Sequence, residues 1–357
     1  MLNKLKTTTA LVGALSIAAS ASYAETKITG DIEQTYISRS HDLATEKHKG
    51  AGAFGAETNI TLTSSQQLTN GWKADFGYTL EQNGRQGGVS DTKYLSLSSG
   101  NFFVAIGEDF GDNLQASVIP FVSDNFETIG GSSGAGLSFD SHGSTLTAVN
   151  NTGANTASSS ATTTNLNVHE YAHIAAGFKY DGGQLTVRYA PNISAGTDDS
   201  TIGGGTNTSS TSAIEYLVSG KVQNVGYRAG KMQANKDHSG TAGSKPDYTV
   251  YGLSYSMSGV TVAAERRNTD DGTTNATAET KATQYGVAYA TKDFSAGIYM
   301  LKNDRDATAQ EEKAKMIQIG YNFGGLGFDV SYAQLENAGF TAGNDVDVWQ
   351  IRTVQKF

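Results

Sequence analysis

Apolar and polar residues alternate with a period of two along almost the whole chain, the signature of β-strands with unlike faces. The clearest run is Trp72-Lys-Ala-Asp-Phe-Gly-Tyr-Thr-Leu-Glu81. Trp72, Ala74, Phe76, Tyr78 and Leu80 share one side, and Lys73, Asp75, Gly77, Thr79 and Glu81 share the other. The same phase relation recurs at Ile174/Ala176/Phe178/Tyr180, Leu185/Val187/Tyr189, Val260/Val262/Ala264, Ile317/Ile319/Tyr321/Phe323 and Phe328/Val330/Tyr332. Tight turns are predicted at Asn70-Gly71, Gly100-Asn101, His142-Gly143, Asp181-Gly182-Gly183, Asn224-Val225, Ser258-Gly259, Lys292-Asp293 and Gly324-Gly325. Longer polar loops, at about 39–53, 83–92, 108–134, 150–168, 192–212, 234–246, 269–279, 303–314 and 336–345, lie between them. Alternation alone would suit a β-sandwich equally well. The strict exchange of short and long connections does not: it places turns on one rim and loops on the other, as in an all-β transmembrane antiparallel β-barrel. Turns and loops together predict 18 strands, or 16 if the weakest hairpin, near 136–149, does not form.

Composition supports a hollow barrel over a packed globule. Hydrophobic residues make up 38% of the 357 and mean hydropathy is −0.36, lean for a chain of this length. In a barrel only every second strand residue must satisfy lipid. The three prolines, Pro120, Pro191 and Pro246, fall in or at the edge of long loops, where no ladder donor is lost. The absence of Cys excludes disulfide scaffolds, thiolate metal sites and cysteine nucleophiles. The net charge of −9 argues against nucleic acid as a partner.

Residues 1–24 read as a Sec-type signal peptide. Lys4 and Lys6 precede an apolar stretch from Ala10 to Ala19, and Ser22-Tyr23-Ala24 offers small residues for cleavage. Residues 25–357 are then a single barrel domain, and removal of the two leader lysines takes the charge from −9 to −11. No later segment reaches the ~18–20 apolar residues of a helical span. The chain ends instead on Phe357, with Trp349 and Ile351 in the same alternate phase, like the terminal strand of an outer-membrane barrel.

His169-Glu-Tyr-Ala-His173 spells a zinc-peptidase motif. That chemistry needs a helix to bring both histidines to one face. On a strand they stand ~13 Å apart, too far for one zinc ion. Glu311-Glu312 and Asp198-Asp199 suit charged loop tips better than a Ca²⁺ site. Histidine is scarce, with six in the chain, so a hydrolytic barrel has little support, and no enzymatic activity, catalytic residue, metal or cofactor is expected.

Leu68-Thr-Asn-Gly-Trp-Lys-Ala-Asp-Phe-Gly-Tyr-Thr-Leu-Glu81, Lys93-Tyr-Leu-Ser-Leu-Ser-Ser-Gly-Asn-Phe-Phe-Val-Ala-Ile-Gly107 and the closing Gln355-Lys-Phe357 resemble the general bacterial porin family of Gram-negative outer membranes. The likeness spans essentially the whole mature chain. It implies a homotrimer of water-filled barrels in the bacterial outer membrane, touching lipid and lipopolysaccharide and passing small hydrophilic solutes and ions. It also implies that the third long loop folds inward as a constriction, which makes Glu108, Asp109, Asp112, Asp124 and Glu127 the candidate acidic collar.

The family's usual ladder of arginines on the early strands is missing. Asp31 stands in the first strand, and residues 54–68 contain no Lys or Arg. Lys73, Lys93, Lys179, Arg188, Lys221, Arg228, Arg267 and Arg352 are the basic residues assigned the inward phase, with Lys93 alone at a plausible ladder position. Each either lines the pore or pairs with a lumenal carboxylate such as Asp75, Glu215, Glu265 or Asp329. A weak basic wall facing an acidic loop predicts passive diffusion with mild cation preference. The alternative is a non-conducting barrel serving as an adhesin or structural protein. Apolar inward residues sealing the lumen would favour that alternative, and the pattern predicts few.

Overall fold

The computed structural model describes residues 25–41, 52–83, 89–114, 116–122, 168, 172–191, 212–234, 247–270, 279–305, 311–337, 342–343 and 345–357. The strands are β1 (Glu25–His41), β2 (Gly52–Gln67), β3 (Lys73–Asn83), β4 (Val89–Ser99), β5 (Phe102–Glu108), β6 (His173–Tyr180), β7 (Gly183–Ala190) and β8 (Ala213–Val222). They continue with β9 (Val225–Ala234), β10 (Asp247–Met257), β11 (Val260–Asp270), β12 (Glu279–Ala290), β13 (Phe294–Arg305), β14 (Glu312–Asn322), β15 (Leu326–Glu336) and β16 (Val346–Lys356). Each pairs antiparallel with its sequence neighbours, and β1 pairs with β16, so the sheet closes on itself. Closure removes every sheet edge, the condition for placing strands in lipid.

The closed count is 16, the lower of the two expected numbers. β5 pairs directly with β6, so no strand stands between Glu108 and His173 in the ladder. The predicted hairpin near 136–149 therefore contributes nothing to the wall, and its residues lie outside the described ones. Most of the two loops expected at 108–134 and 150–168 likewise lies outside the described residues.

Strand faces follow the alternation. On β14 the burial repeats strictly: Ala314, Met316 and Gln318 point inward and are buried, while Ile317 and Ile319 are about half exposed on the outside. Leu253, Val287, Ile298 and Met300 on neighbouring strands are also more than half exposed on the outer face. An apolar surface this continuous belongs against hydrocarbon. Most strands from β8 onward have 10 to 12 residues, close to the ~9–11 that a tilted strand needs to span a bilayer. The turns between them are tight. Ser258 and Gly259 both take positive φ, the type I′ geometry that matches strand twist.

The barrel closes at its chain ends. Gly30 N–H donates to the Phe357 carbonyl at 3.0 Å, and Phe357 N–H donates back to Gly30 at 2.9 Å. A Cβ on Gly30 would lie 2.6 Å from the Phe357 ring, so the terminal aromatic rests directly on the glycine backbone.

Candidate functional site

After β5 the chain turns into the lumen. Gly107 has φ +155, Asp109 φ +48 and Gly111 φ +71, so the redirection uses conformations that favour glycine at all three positions, two of which glycine fills. At Gly107 a side chain would also strike the Lys93 carbonyl, 1.9 Å from the ideal Cβ. Phe110 then wedges into the wall, stacked on His173 (ring centroids 4.4 Å apart, planes 12° apart) and tilted against Tyr94.

From Phe110 to Val122 the loop is clasped to successive strands. Arg188 on β7 donates to the carbonyls of Phe110 and Asp112. Arg228 on β9 donates to the Asn113 carbonyl and the Asp112 carboxylate. On β11, Glu265 accepts from Ser117 Oγ (3.0 Å) and Val118 N–H (2.9 Å), while Arg267 donates to the Ala116 carbonyl (3.1 Å). Tyr299 on β13 donates to the Pro120 carbonyl at 2.8 Å, and Val122 N–H donates to Gln318 on β14 at 2.9 Å. The path from β7 to β14 crosses seven inter-strand steps, ~33 Å at ~4.8 Å each. Twelve residues reach at most ~40–43 Å. The segment follows the wall from strand to strand, combining wall hydrogen bonds with short turns of its own, among them Phe121 N–H to the Ile119 carbonyl (2.9 Å) and Ala116 N–H to Asn113 Oδ1 (3.2 Å).

Apolar packing reinforces the clasp. Ile119 and Phe121 pack with Tyr299, Leu301, Met316, Leu335, Val346 and Val348; Leu114 packs with Leu217, Met232, Tyr248 and Val250. These wall positions are inward and apolar, whereas the sequence predicts few such residues. They seat the loop on one side of the barrel. The opposite wall is different: Asp31, Glu33, Glu57, Asn59, Thr61 and Glu81 point inward from β1–β3 and are only half-buried.

The predicted basic residues separate into groups. Arg188 pairs with Glu215 and Arg267 with Glu265, all four being at most 2% exposed. Arg352 bridges Asp329 (3.0 Å) and Glu33 (2.9 Å). Arg228 pairs with Asp112, and Lys73 pairs with Asp75 at 2.7 Å. Lys93 is not in the assigned phase. It shares the side of the exposed Leu95 and Leu97, while Tyr94 points inward. The phase has to follow the two leucines, because they and not Lys93 have a strong requirement for lipid.

Among the acidic candidates, Glu108 is the register partner of Lys93 and pairs with it at 3.1 Å, in the phase of the exposed Val104 and Ile106. Asp109 sits at the left-handed turn, half-buried. Asp112 is bound by Ser219 and Arg228. Asp124 and Glu127 lie outside the described residues.

Three carboxylates of the open wall, Glu33, Glu57 and Glu81, escape a search aimed at the loop. Their signal is present in the inward phase of β1–β3 set by Ile28, Ile32, Ile60 and Leu80 outside. Glu33 and Glu57 are direct register partners. As for the zinc-peptidase motif, His173 opens a strand and stacks on Phe110, and His169 and Glu170 lie outside the described residues.

A family model described as Gram-negative porin matches residues 7–322 of the chain. No curated protein matches it. Among solved structures, engineered variants of the porin of Rhodopseudomonas blastica superpose at TM-scores of 0.58 and 0.59 with 14% identity, covering 93% of this chain and 100% of theirs. A structure titled for the asymmetric conductivity of engineered proteins superposes at 0.59 with 15% identity and the same coverage.

Proposed function

The chain belongs to the Gram-negative porin family and is an outer-membrane β-barrel channel. From that premise we propose that it passes small hydrophilic solutes with a preference for cations, set mainly by the wall that the loop leaves open. The observation that carries this reading is the inward set Asp31, Glu33, Glu57 and Glu81 on β1–β3, with no Lys or Arg anywhere on β2. Carboxylates lining a narrow aqueous path raise the local cation concentration and repel anions.

The loop supplies the narrowing, and Asp109 and Asp112 supply lesser charge. Asp112 contributes less because Arg228 pairs with it, so its field is largely cancelled within a few ångströms. Arg188, Arg228 and Arg267 act as loop anchors in this reading and add little free positive charge to the path.

The remaining parts of the proposal follow from family likeness and the leader. Residues 1–24 are removed on export, the exposed apolar belt meets lipid and lipopolysaccharide, and barrels associate as homotrimers. No catalytic role is proposed for any residue.

The test is the reversal potential across a KCl gradient. Wild type is expected to give the sign of a cation-preferring channel. Glu57→Gln/Glu81→Gln should move the potential most of the way to zero, and Asp109→Asn/Asp112→Asn should move it less; Glu33 contributes less than its neighbours because Arg352 pairs with it. An anion-preferring wild type, or a wall variant that leaves the potential unchanged, overturns the assignment.

A further inference from the structure

Four inward side chains form a single register row across the wall beneath the loop. Lys179 on β6 is the partner of Gln184 on β7, Gln184 of Ser219 on β8, and Ser219 of Arg228 on β9. Lys221 stands two residues further toward the turn-bearing rim, opposite Gly226. These residues line a recess of about 740 Å³ that also touches Asp112, Ser117 and Ser254. Gly226 keeps it open, because a Cβ there would lie 2.5 Å from Ser254 Oγ.

The row offers cations and hydrogen-bond donors along its whole length, and one end of it already holds an anion. The Asp112 carboxylate accepts from Ser219 Oγ and from Arg228. The other end repeats that chemistry with Lys179 and Gln184, and Lys221 adds a second ammonium group. Among the described residues neither lysine forms an ion pair with a carboxylate. The recorded neighbour of Lys179 Nζ is the Phe103 ring, 5.8 Å away at its centroid. Two strand spacings separate Lys179 from Ser219, ~10 Å, a width that a phosphate ester or a di- or tricarboxylate can bridge.

We propose that this recess binds small, multiply charged oxyanions, phosphates or carboxylates, between the loop and the turn-bearing rim, with Lys179, Gln184 and Lys221 as its ligands. The Asp112 carboxylate serves as a built-in example of how the row holds such a group. The site is on the wall away from the carboxylates of β1–β3, so the two charge systems coexist in one lumen without neutralising each other. Long-range attraction fades as the Debye length falls from ~10 Å at 0.1 M salt to ~3 Å at 1 M, so occupancy is highest at low ionic strength.

The experiment is calorimetric titration of inorganic pyrophosphate, and separately of citrate, into the detergent-solubilised full chain at low salt. Wild type should bind at least one of the two. Lys179→Gln/Lys221→Gln should weaken that binding by about tenfold or more, since charge-assisted hydrogen bonds are the strong ones. Lys179→Arg/Lys221→Arg should retain it. Lys73→Gln, at a rim lysine already paired with Asp75, should leave it unchanged. The heat-shifted mobility of the folded barrel shows that each variant is intact. No binding of either anion to wild type, full binding by the glutamine pair, or equal loss on Lys73→Gln each overturns the proposal. Binding in detergent is independent of ion preference, so failure here leaves the channel reading intact.

Discussion

Arg267 shows how one buried guanidinium can tie wall to loop. It donates to Glu265 at 2.6 Å, to Tyr248 Oη at 2.7 Å and to the Ala116 carbonyl at 3.1 Å, using the planar fork that lysine lacks. Arg267→Met leaves Glu265 buried without its counterion and should cost about 3–5 kcal/mol. The measurement is a lowered unfolding midpoint, accompanied by a larger and noisier single-channel conductance as the loop loosens. Arg267→Met/Glu265→Leu should recover much of the midpoint but not the conductance, because stability comes back with apolar packing and the grip on the loop does not. Glu311 makes a separate, pH-dependent point outside the barrel wall. Hydrogen bonds from Lys302 first, at 2.6 Å, and then from Lys313 hold its carboxyl below the usual carboxylate range. A lowered folded value means its contribution is complete above the ordinary carboxylate pKa and is lost as pH falls through the lowered one. Glu311→Gln should therefore flatten the acid limb of the stability curve from about pH 5 downward. The change should be small, because the group lies at the surface, where solvent screens it; thermal melts across that range measure it. Individual charges were legible in sequence, but their partners were not. Asp112 and Arg228 lie more than a hundred positions apart, and only closure of the barrel brings them together.

Strand faces are the best-determined feature at the scale of elements. The alternation on β14 survives intact in the fold, because slipping by one residue would turn Ile317 and Ile319 into the lumen and Gln318 into lipid. Ile317→Arg should accordingly destabilise the barrel by about 2–4 kcal/mol if that position lies near the bilayer midplane. Denaturant unfolding in lipid vesicles checks this, with Lys315→Arg, close to the outer rim, expected to be nearly neutral. Two elements were misread for reasons that can be named. Lys93 is expected inward because it stands at a plausible position of the basic ladder, but Leu95 and Leu97 in the same phase determine which face meets lipid. The hairpin near 136–149 had turn residues and a short apolar run, but a strand joins the wall only if a neighbour pairs with it, and β5 and β6 pair with each other. Apolar inward positions on β8–β16 were also underestimated, since a lumen is expected to be wet until a loop is known to lie against it.

For the molecule as a whole, closure is the property on which channel, membrane residence and loop position all depend. The β1–β16 seam carries eleven register pairs and ends in the Gly30–Phe357 exchange of hydrogen bonds. Gly30→Val would place a Cβ 2.3 Å from the Asn59 carbonyl oxygen and drive its branches into the Phe357 ring. It should abolish the heat-resistant folded band on gels, whereas Gly71→Ala, at an open turn, should only reduce refolding yield. Sequence alone determined the barrel, its membrane-facing side, its turn and loop rims and the missing basic ladder of its first strands. Each of these is a local pattern of period two or a property of turn residues, repeated often enough to be read without knowing any contact. Tertiary structure alone decided the strand count, the anchoring of the loop to β7–β14, and hence which inward charges are taken up by the loop. Those depend on pairings between residues far apart in the chain, where the stretch of backbone from Phe110 to Val122 has to match the curvature of a closed sheet. The role of each inward charge follows from that match: arginines under the loop hold it in place, while Glu33 on the opposite wall shares Arg352 with Asp329.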